Sequence, residues 1–172
     1  MTDFQLRLAT AADAQAICDI YNHYVDTSTC TFQIRRDTLP ERLRWLAEHD
    51  ADFPATVCCV DATVVGWASI SRWNTRGGWA RTGEVSVYID ANWHRRGIGR
   101  ALYNDLMERA KKLRFHVLLS GICSEQEPSI GIHRAFGFTE VARFREVGYK
   151  FDRWLDVIYM QLTLDGPTSK PR

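Results

Sequence analysis

Residues 93–102 read "WHRRGIGRAL", directly after the alternating run "GEVSVYI" (83–89) and directly before apolar residues at helical spacing. A strand that enters a glycine- and arginine-rich turn and then a helix leaves free backbone N–H groups at the helix start, where they face an anion. Gly97 and Gly99 let the backbone approach closely and take unusual dihedrals, while Arg95, Arg96 and Arg100 add charge. Two readings fit the local pattern: a tight turn that binds nothing, and an anion site. Both common nucleotide motifs fail. A dinucleotide fingerprint needs a third glycine where Leu102 stands, and a P-loop needs Lys followed by Ser or Thr where Arg100 and Ala101 stand.

The surrounding chain has 172 residues, 45% hydrophobic and 12% aromatic, which suits one domain with a substantial core. A net charge of +1 gives no global pull toward nucleic acid or an anionic membrane, so any positive potential is local. The start "MTDFQLRLAT" lacks the basic and apolar regions of a signal peptide, and no run of 18 apolar residues occurs, so a cytoplasmic location is expected. Five cysteines (Cys18, Cys30, Cys58, Cys59, Cys123) show no metal-ligand spacing and are expected as reduced, mostly buried thiols.

Working outward, "FQLRL" (4–8) alternates Phe4, Leu6 and Leu8 on one face, as a half-buried strand does. "TAAD" (10–13) has capping-box spacing, with Asp in place of Glu, ahead of a helix that carries Ile17, Ile20, Tyr21 and Tyr24 on one stripe. "TLPE" (38–41) opens a second helix bearing Leu43, Leu46 and Ala47. "ATVCCV" (55–60), "TVVGWASIS" (63–71) and "GEVSVYI" read as strands, the first two joined at Asp61 and Ala62 and the last two by the loop "RWNTRGGWART" (72–82). After the opening stretch Leu102, Leu106, Ala110 and Leu113 mark a helix starting near Gly99. "HVLLSGI" (116–122) is a fifth strand. "PSIGIHRAF" (128–136) is a helix with Pro128 in its first turn and Gly137 as its C-terminal cap. "FTEVARFREVG" (138–148) and "RWLDVIYMQLTL" (153–164) are two final strands, and "DGPTSKPR" (165–172) reads as a frayed tail. Hairpins mixed with α crossovers predict a mixed sheet with helices on its faces.

The motif and its neighbours together resemble a known family. "HRRGIGRAL" after "VSVYI" resembles the acetyl-coenzyme A signature of the GNAT acetyltransferases, Q/R-x-x-G-x-G/A; Gly97 and Gly99 match, and His94 departs from Gln/Arg. "NHYVDTSTCTF" (22–32), "GEVSVYI", "PSIGIHRAFGF" (128–138) and "GYKFDRWLDVIYMQL" (148–162) are similar to the phosphinothricin and methionine sulfoximine N-acetyltransferase branch. The resemblance runs from about Leu6 to Leu162. It implies an α/β GNAT-type fold: a mixed, mostly antiparallel central sheet of about seven strands with helices on both faces. It also implies an acetyl-CoA cosubstrate, no metal, and a homodimer with "GYKFDRWLDVIYMQ" near the interface. There Trp154 and Tyr159 would act as anchors.

The same resemblance assigns roles. Main-chain groups of Val87, Tyr88 and Ile89 would pair with the pantetheine arm as an added strand, and amides from Arg95 through Gly97, Ile98 and Gly99 to Arg100 would cradle the pyrophosphate. Gln126 stands where the branch has a cofactor-binding asparagine, and Ser129 either adds a hydrogen bond or caps its helix. Glu84 occupies the position of the catalytic carboxylate; an ammonium acceptor must lose a proton before it can attack a thioester, so the site needs a base. His133 would either give a proton to the departing thiolate or orient the sulfur; a structural histidine is the alternative. The acceptor would sit over Trp73, Asn74, Thr75 and Arg76 and the strand start at Val85 and Ser86, walled by Phe32, Trp73 and Trp79. Arg76 or Arg81 would clamp a carboxylate or phosphinate. The expected reaction is direct acetyl transfer to the α-amine of a small amino acid or analogue, the oxyanion held by amides near Val87 to Ile89. Transfer through a cysteine, acetylation of another amine and a non-catalytic acyl-CoA sensor stay open as alternatives.

Overall fold

The computed structural model describes residues 3–164. The segment read as a frayed tail lies outside them. In chain order the elements are β1 (Gln5–Leu8), α1 (Ala14–Thr27), α2 (Leu39–Ala47), β2 (Ala55–Val60), β3 (Thr63–Arg72), β4 (Thr82–Ile89), α3 (Ile98–Lys112), β5 (Val117–Cys123), α4 (Glu127–Ala135), β6 (Thr139–Lys150) and β7 (Arg153–Thr163). They form one seven-stranded sheet in the order β1-β2-β3-β4-β5-β7-β6. Every pairing is antiparallel except β4 with β5.

Local chemistry explains the element starts. Asp13 takes the Thr10 N–H at 2.7 Å and a bidentate Arg7 at 2.7 Å on each branch, which closes the first capping box ahead of α1. Glu41 does the same for Thr38 at 2.8 Å, ahead of α2. Asp61 and Ala62 both take left-handed φ, 47° and 65°, giving the two-residue hairpin that joins β2 to β3. Gly137 is left-handed at φ 88°, and the Phe138 N–H returns to the His133 carbonyl at 3.0 Å, so α4 ends as the sequence implies.

The larger core lies between the sheet and α3/α4, with Leu102, Leu106 and Ala110 packed on Val85, Leu118 and Ile158. On the other face Ile17 and Ile20 of α1 cover Val57 and Trp67. Helices therefore cover both faces. One expectation shifts: Phe4 and Leu6 pack on the core, but Leu8 is 51% exposed, because β1 is an edge strand at its end.

Candidate active site

β4 pairs with β3 from Gly83 to Ile89 but with β5 only from Thr82 to Glu84. Beyond Glu84 the two parallel strands part, and a cleft of about 550 Å³ opens between them, bounded by α3 and α4. The Asp90 N–H donates to Val65 of β3 at 2.9 Å. By the antiparallel alternation, the main-chain groups of Val85, Val87 and Ile89 then face the cleft, and those of Ser86 and Tyr88 face β3. Tyr88 thus borders the cleft without offering its own amide to it. An extended amide-bearing chain laid along this edge would complete the ladder that β5 abandons.

At the far end of the cleft Arg95 (φ 61°) and Gly97 (φ 85°) are both left-handed. Such alternation turns successive N–H groups to one side as an anion nest. The first intrahelical bond of α3 runs from Ala101 N–H to the Gly97 carbonyl at 3.1 Å, so the amides of Ile98, Gly99 and Arg100 precede it without helical partners. Arg95 and Arg100 border the cleft. Arg96 instead stacks 4.5 Å above Trp93, and the Ile98 side chain is buried, so Ile98 offers its amide alone. The donor set fits a pyrophosphate attached to an extended arm.

His94 has a definite place. The Tyr24 hydroxyl donates to the Ile89 carbonyl at 2.5 Å, so the His94 Nε2, 2.7 Å away, must carry the proton shared with the Tyr24 oxygen. Burial pushes Tyr24 up to about 12, so it keeps its own proton. His94 therefore ties the motif to α1 and to the end of β4.

His133 is buried, with Nδ1 2.7 Å from the Ser129 carbonyl and Nε2 2.8 Å from the Tyr103 hydroxyl. The carbonyl accepts only, so Nδ1 is protonated, and Nε2 accepts from Tyr103. Burial pushes the His133 pKa down. A neutral imidazole in this tautomer has no proton to give toward the cleft, which favours orientation over acid catalysis. Gln126 Nε2 donates to Thr29 Oγ1 at 2.8 Å, leaving its carbonyl end for a ligand, and it, rather than Ser129, is the N-cap of α4. Cys30 also borders this cleft; burial raises its thiol pKa, and no disulfide links it.

On the opposite face of the sheet a second cavity, about 710 Å³, is walled by Phe32, Trp73, Phe144, Tyr149 and Tyr159, with Glu84 also lining it. Trp73 and Phe144 each meet Tyr159 edge-on, with centroids 5.4 and 5.7 Å apart. Phe32 lies so close over Gly148 that a side chain there would collide with its ring. Gly121 borders both cavities. Burial raises the Glu84 pKa, partly offset by a hydrogen bond from the Gly121 main chain.

Phe32, Trp73 and Glu84 thus come together. Asn74, Thr75 and Arg76 are exposed and outside both cavities, as is Trp79, and Arg81 donates to the Arg114 carbonyl at 3.1 Å. Val85 and Ser86 border the cleft between β4 and β5 rather than the aromatic cavity. Sequence reasoning missed Tyr24, Tyr103, Gly121 and the β6 wall; a glycine inside the strand "LLSGI" was the available signal for Gly121. Among the described residues no group of three or more His, Cys, Asp or Glu gathers as a metal site.

Residues 6–159 match the Acetyltransferase (GNAT) domain. The chain belongs to the GNAT acetyltransferase family. As a GNAT enzyme it is an acetyl-CoA-dependent acyltransferase. It is 37% identical to an L-methionine sulfoximine/L-methionine sulfone acetyltransferase of Salmonella typhimurium, covering 93% of this chain and 94% of that one. It is 34% identical to a phosphinothricin N-acetyltransferase of Streptomyces viridochromogenes, covering 98% and 91%. A solved GNAT phosphinothricin acetyltransferase from Sinorhizobium meliloti, in complex with AcCoA, superposes with a TM-score of 0.92 at 31% identity, covering 100% of this chain and 94% of that one.

Proposed function

We propose that the protein moves acetyl from acetyl-CoA to the α-amine of a small amino acid or analogue by direct transfer, with Glu84 as general base. The observation that carries this is the position of Glu84: a partly buried carboxylate lining an aromatic cavity, beside Gly121, which also borders the cleft between β4 and β5. Acetyl-CoA supplies a thioester carbon that an unprotonated amine attacks, releasing coenzyme A as a thiol. Glu84 takes the proton the acceptor ammonium must lose, through a water. One amide bond forms, one carbon–sulfur bond breaks, and one proton goes to solvent. Val87 and Ile89 hold the pantetheine arm and aim amides at the carbonyl oxygen, and Arg95, Arg100 and the amides from Gly97 to Arg100 hold the phosphates. His133 acts as a positioning group that fixes the Tyr103 hydroxyl at the cleft.

The relatives named for methionine sulfoximine, methionine sulfone and phosphinothricin support an amino acid analogue as acceptor. The exposed Trp154 of β7 and Phe151 in the turn before it support a homodimer. Five free thiols and the need for acetyl-CoA support a cytoplasmic location, and among the described residues no helix is long and apolar enough to cross a membrane. The sheet spanning Gln5 to Thr163 supports one acetyltransferase domain over about 4–164.

The test is amine-dependent thiol release from acetyl-CoA, with the N-acetylated product identified by mass spectrometry. Tight acetyl-CoA binding without turnover of any amine would mark a sensor instead. A cysteine-linked route predicts loss of turnover in Cys30→Ala; direct transfer predicts retention.

A further inference from the structure

We infer that Glu125, held by Arg153, is a positioning residue for the cosubstrate: acting through Thr29, it fixes which end of the Gln126 amide faces the cleft, so that Gln126 accepts from an N–H of the pantetheine arm rather than donating to one of its carbonyls. This rests on the acetyl-CoA reading above and adds to it the group that gives Gln126 its direction.

The direction follows from the protons available along four side chains. Arg153, at the start of β7, donates to both Glu125 oxygens at 2.6 Å, and Glu125 so paired is a carboxylate that only accepts. The Thr29 hydroxyl, 4% exposed, gives its single proton to Glu125 Oε1 at 2.7 Å. Its oxygen then has only lone pairs left for Gln126, so the Gln126 atom 2.8 Å away must be the nitrogen. The Gln126 main chain is pinned as well: its N–H donates to the Cys123 carbonyl at 2.9 Å, and its carbonyl accepts from the Ile130 N–H at 3.0 Å. Oε1, without a hydrogen-bond partner among the described residues, is the end left for the cleft that Gln126 borders.

A neutral amide at position 125 would meet Thr29 with either end. When its nitrogen faces Thr29, the threonine proton is free to go to Gln126 Oε1, and the Gln126 nitrogen turns to the cleft instead. Removing the negative charge at 125 would by itself favour the phosphates of coenzyme A, so weaker binding in Glu125→Gln has the sign opposite to a bulk electrostatic effect.

The experiment measures the acetyl-CoA Kd by calorimetry in the full-length wild type, Glu125→Gln, Gln126→Met and the double variant, with thermal unfolding of each as a check on folding. The expected result is binding weaker by roughly 5- to 20-fold in each single variant, with Glu125→Gln adding less than about twofold once Gln126 is Met. Thr29→Val, which cuts the chain in the middle, weakens binding to the same extent, and Thr29→Ser, which keeps the hydroxyl, stays within about twofold of the wild type. KM for the amine stays within about twofold in all of them. Wild-type affinity in Glu125→Gln, or a full loss added on top of Gln126→Met as a purely structural ion pair would give, overturns the inference and leaves the acetyltransferase reading standing. A wild type that does not bind acetyl-CoA removes both.

Discussion

Glu84 is held where two effects oppose each other. Partial burial of its carboxylate raises its pKa, while the Gly121 main chain pulls it back down. The acidic limb of kcat/KM should therefore lie above the ordinary carboxylate range, activity falling as pH drops through the raised value. The same burial makes a stability prediction. A carboxylate whose folded pKa exceeds its unfolded one destabilises the protein as pH rises between the two values and leaves stability untouched below both. Glu84→Gln should accordingly match or exceed the wild type in thermal stability at pH 7, with the gain vanishing in acid, as calorimetry across pH would read. His133 gives a second residue-level expectation. With His133 as a positioning group, His133→Ala lowers kcat by about tenfold without changing the shape of the pH–rate profile; a changed profile would return His133 to the role of acid.

At the scale of elements, the anion site depends on backbone hand more than on side chains. An added Cβ on Gly97 meets nothing within 4 Å, yet the residue sits at φ +85°. Gly97→Ala should cost about 1–2 kcal/mol by denaturant titration and weaken acetyl-CoA binding in calorimetry, although no atom collides. Lys150 ties the end of β6 to the loop carrying Phe32 through the Ser28 and Thr31 carbonyls. Lys150→Met should lose about 2–4 kcal/mol in the same titration and raise KM for the amine more than for acetyl-CoA. Elements with strong periodicity were legible in the sequence: the alternation of "GEVSVYI", both capping boxes and the Leu102–Leu106–Ala110 stripe all reappear as β4, α1, α2 and α3. The length of the β4–β5 pairing was not, because where parallel strands part depends on what packs between them. Nor were the Phe144 and Tyr149 walls, which depend on the register shift of β6 between Phe144 and Gly148. Asn74 to Arg76 lie exposed outside both cavities, and loop side chains carry no periodicity to say which way they face.

For the whole molecule, a seven-stranded sheet opened at one seam explains why the cleft proposed for the cosubstrate and the aromatic cavity proposed for the acceptor lie on opposite faces and meet at Gly121. The exposed Trp154, at 61%, lies on the β6–β7 face proposed to be covered by a second copy. Trp154→Glu should shift the protein toward monomer in sedimentation velocity. The central claim is that Glu84 removes the proton from the acceptor and does not hold the cosubstrate. Its most direct test compares thiol release and acetyl-CoA affinity in wild type and Glu84→Gln. The account predicts turnover lower by roughly 10²- to 10⁴-fold with an acetyl-CoA Kd within about twofold; turnover retained, or affinity lost in parallel with it, would contradict it.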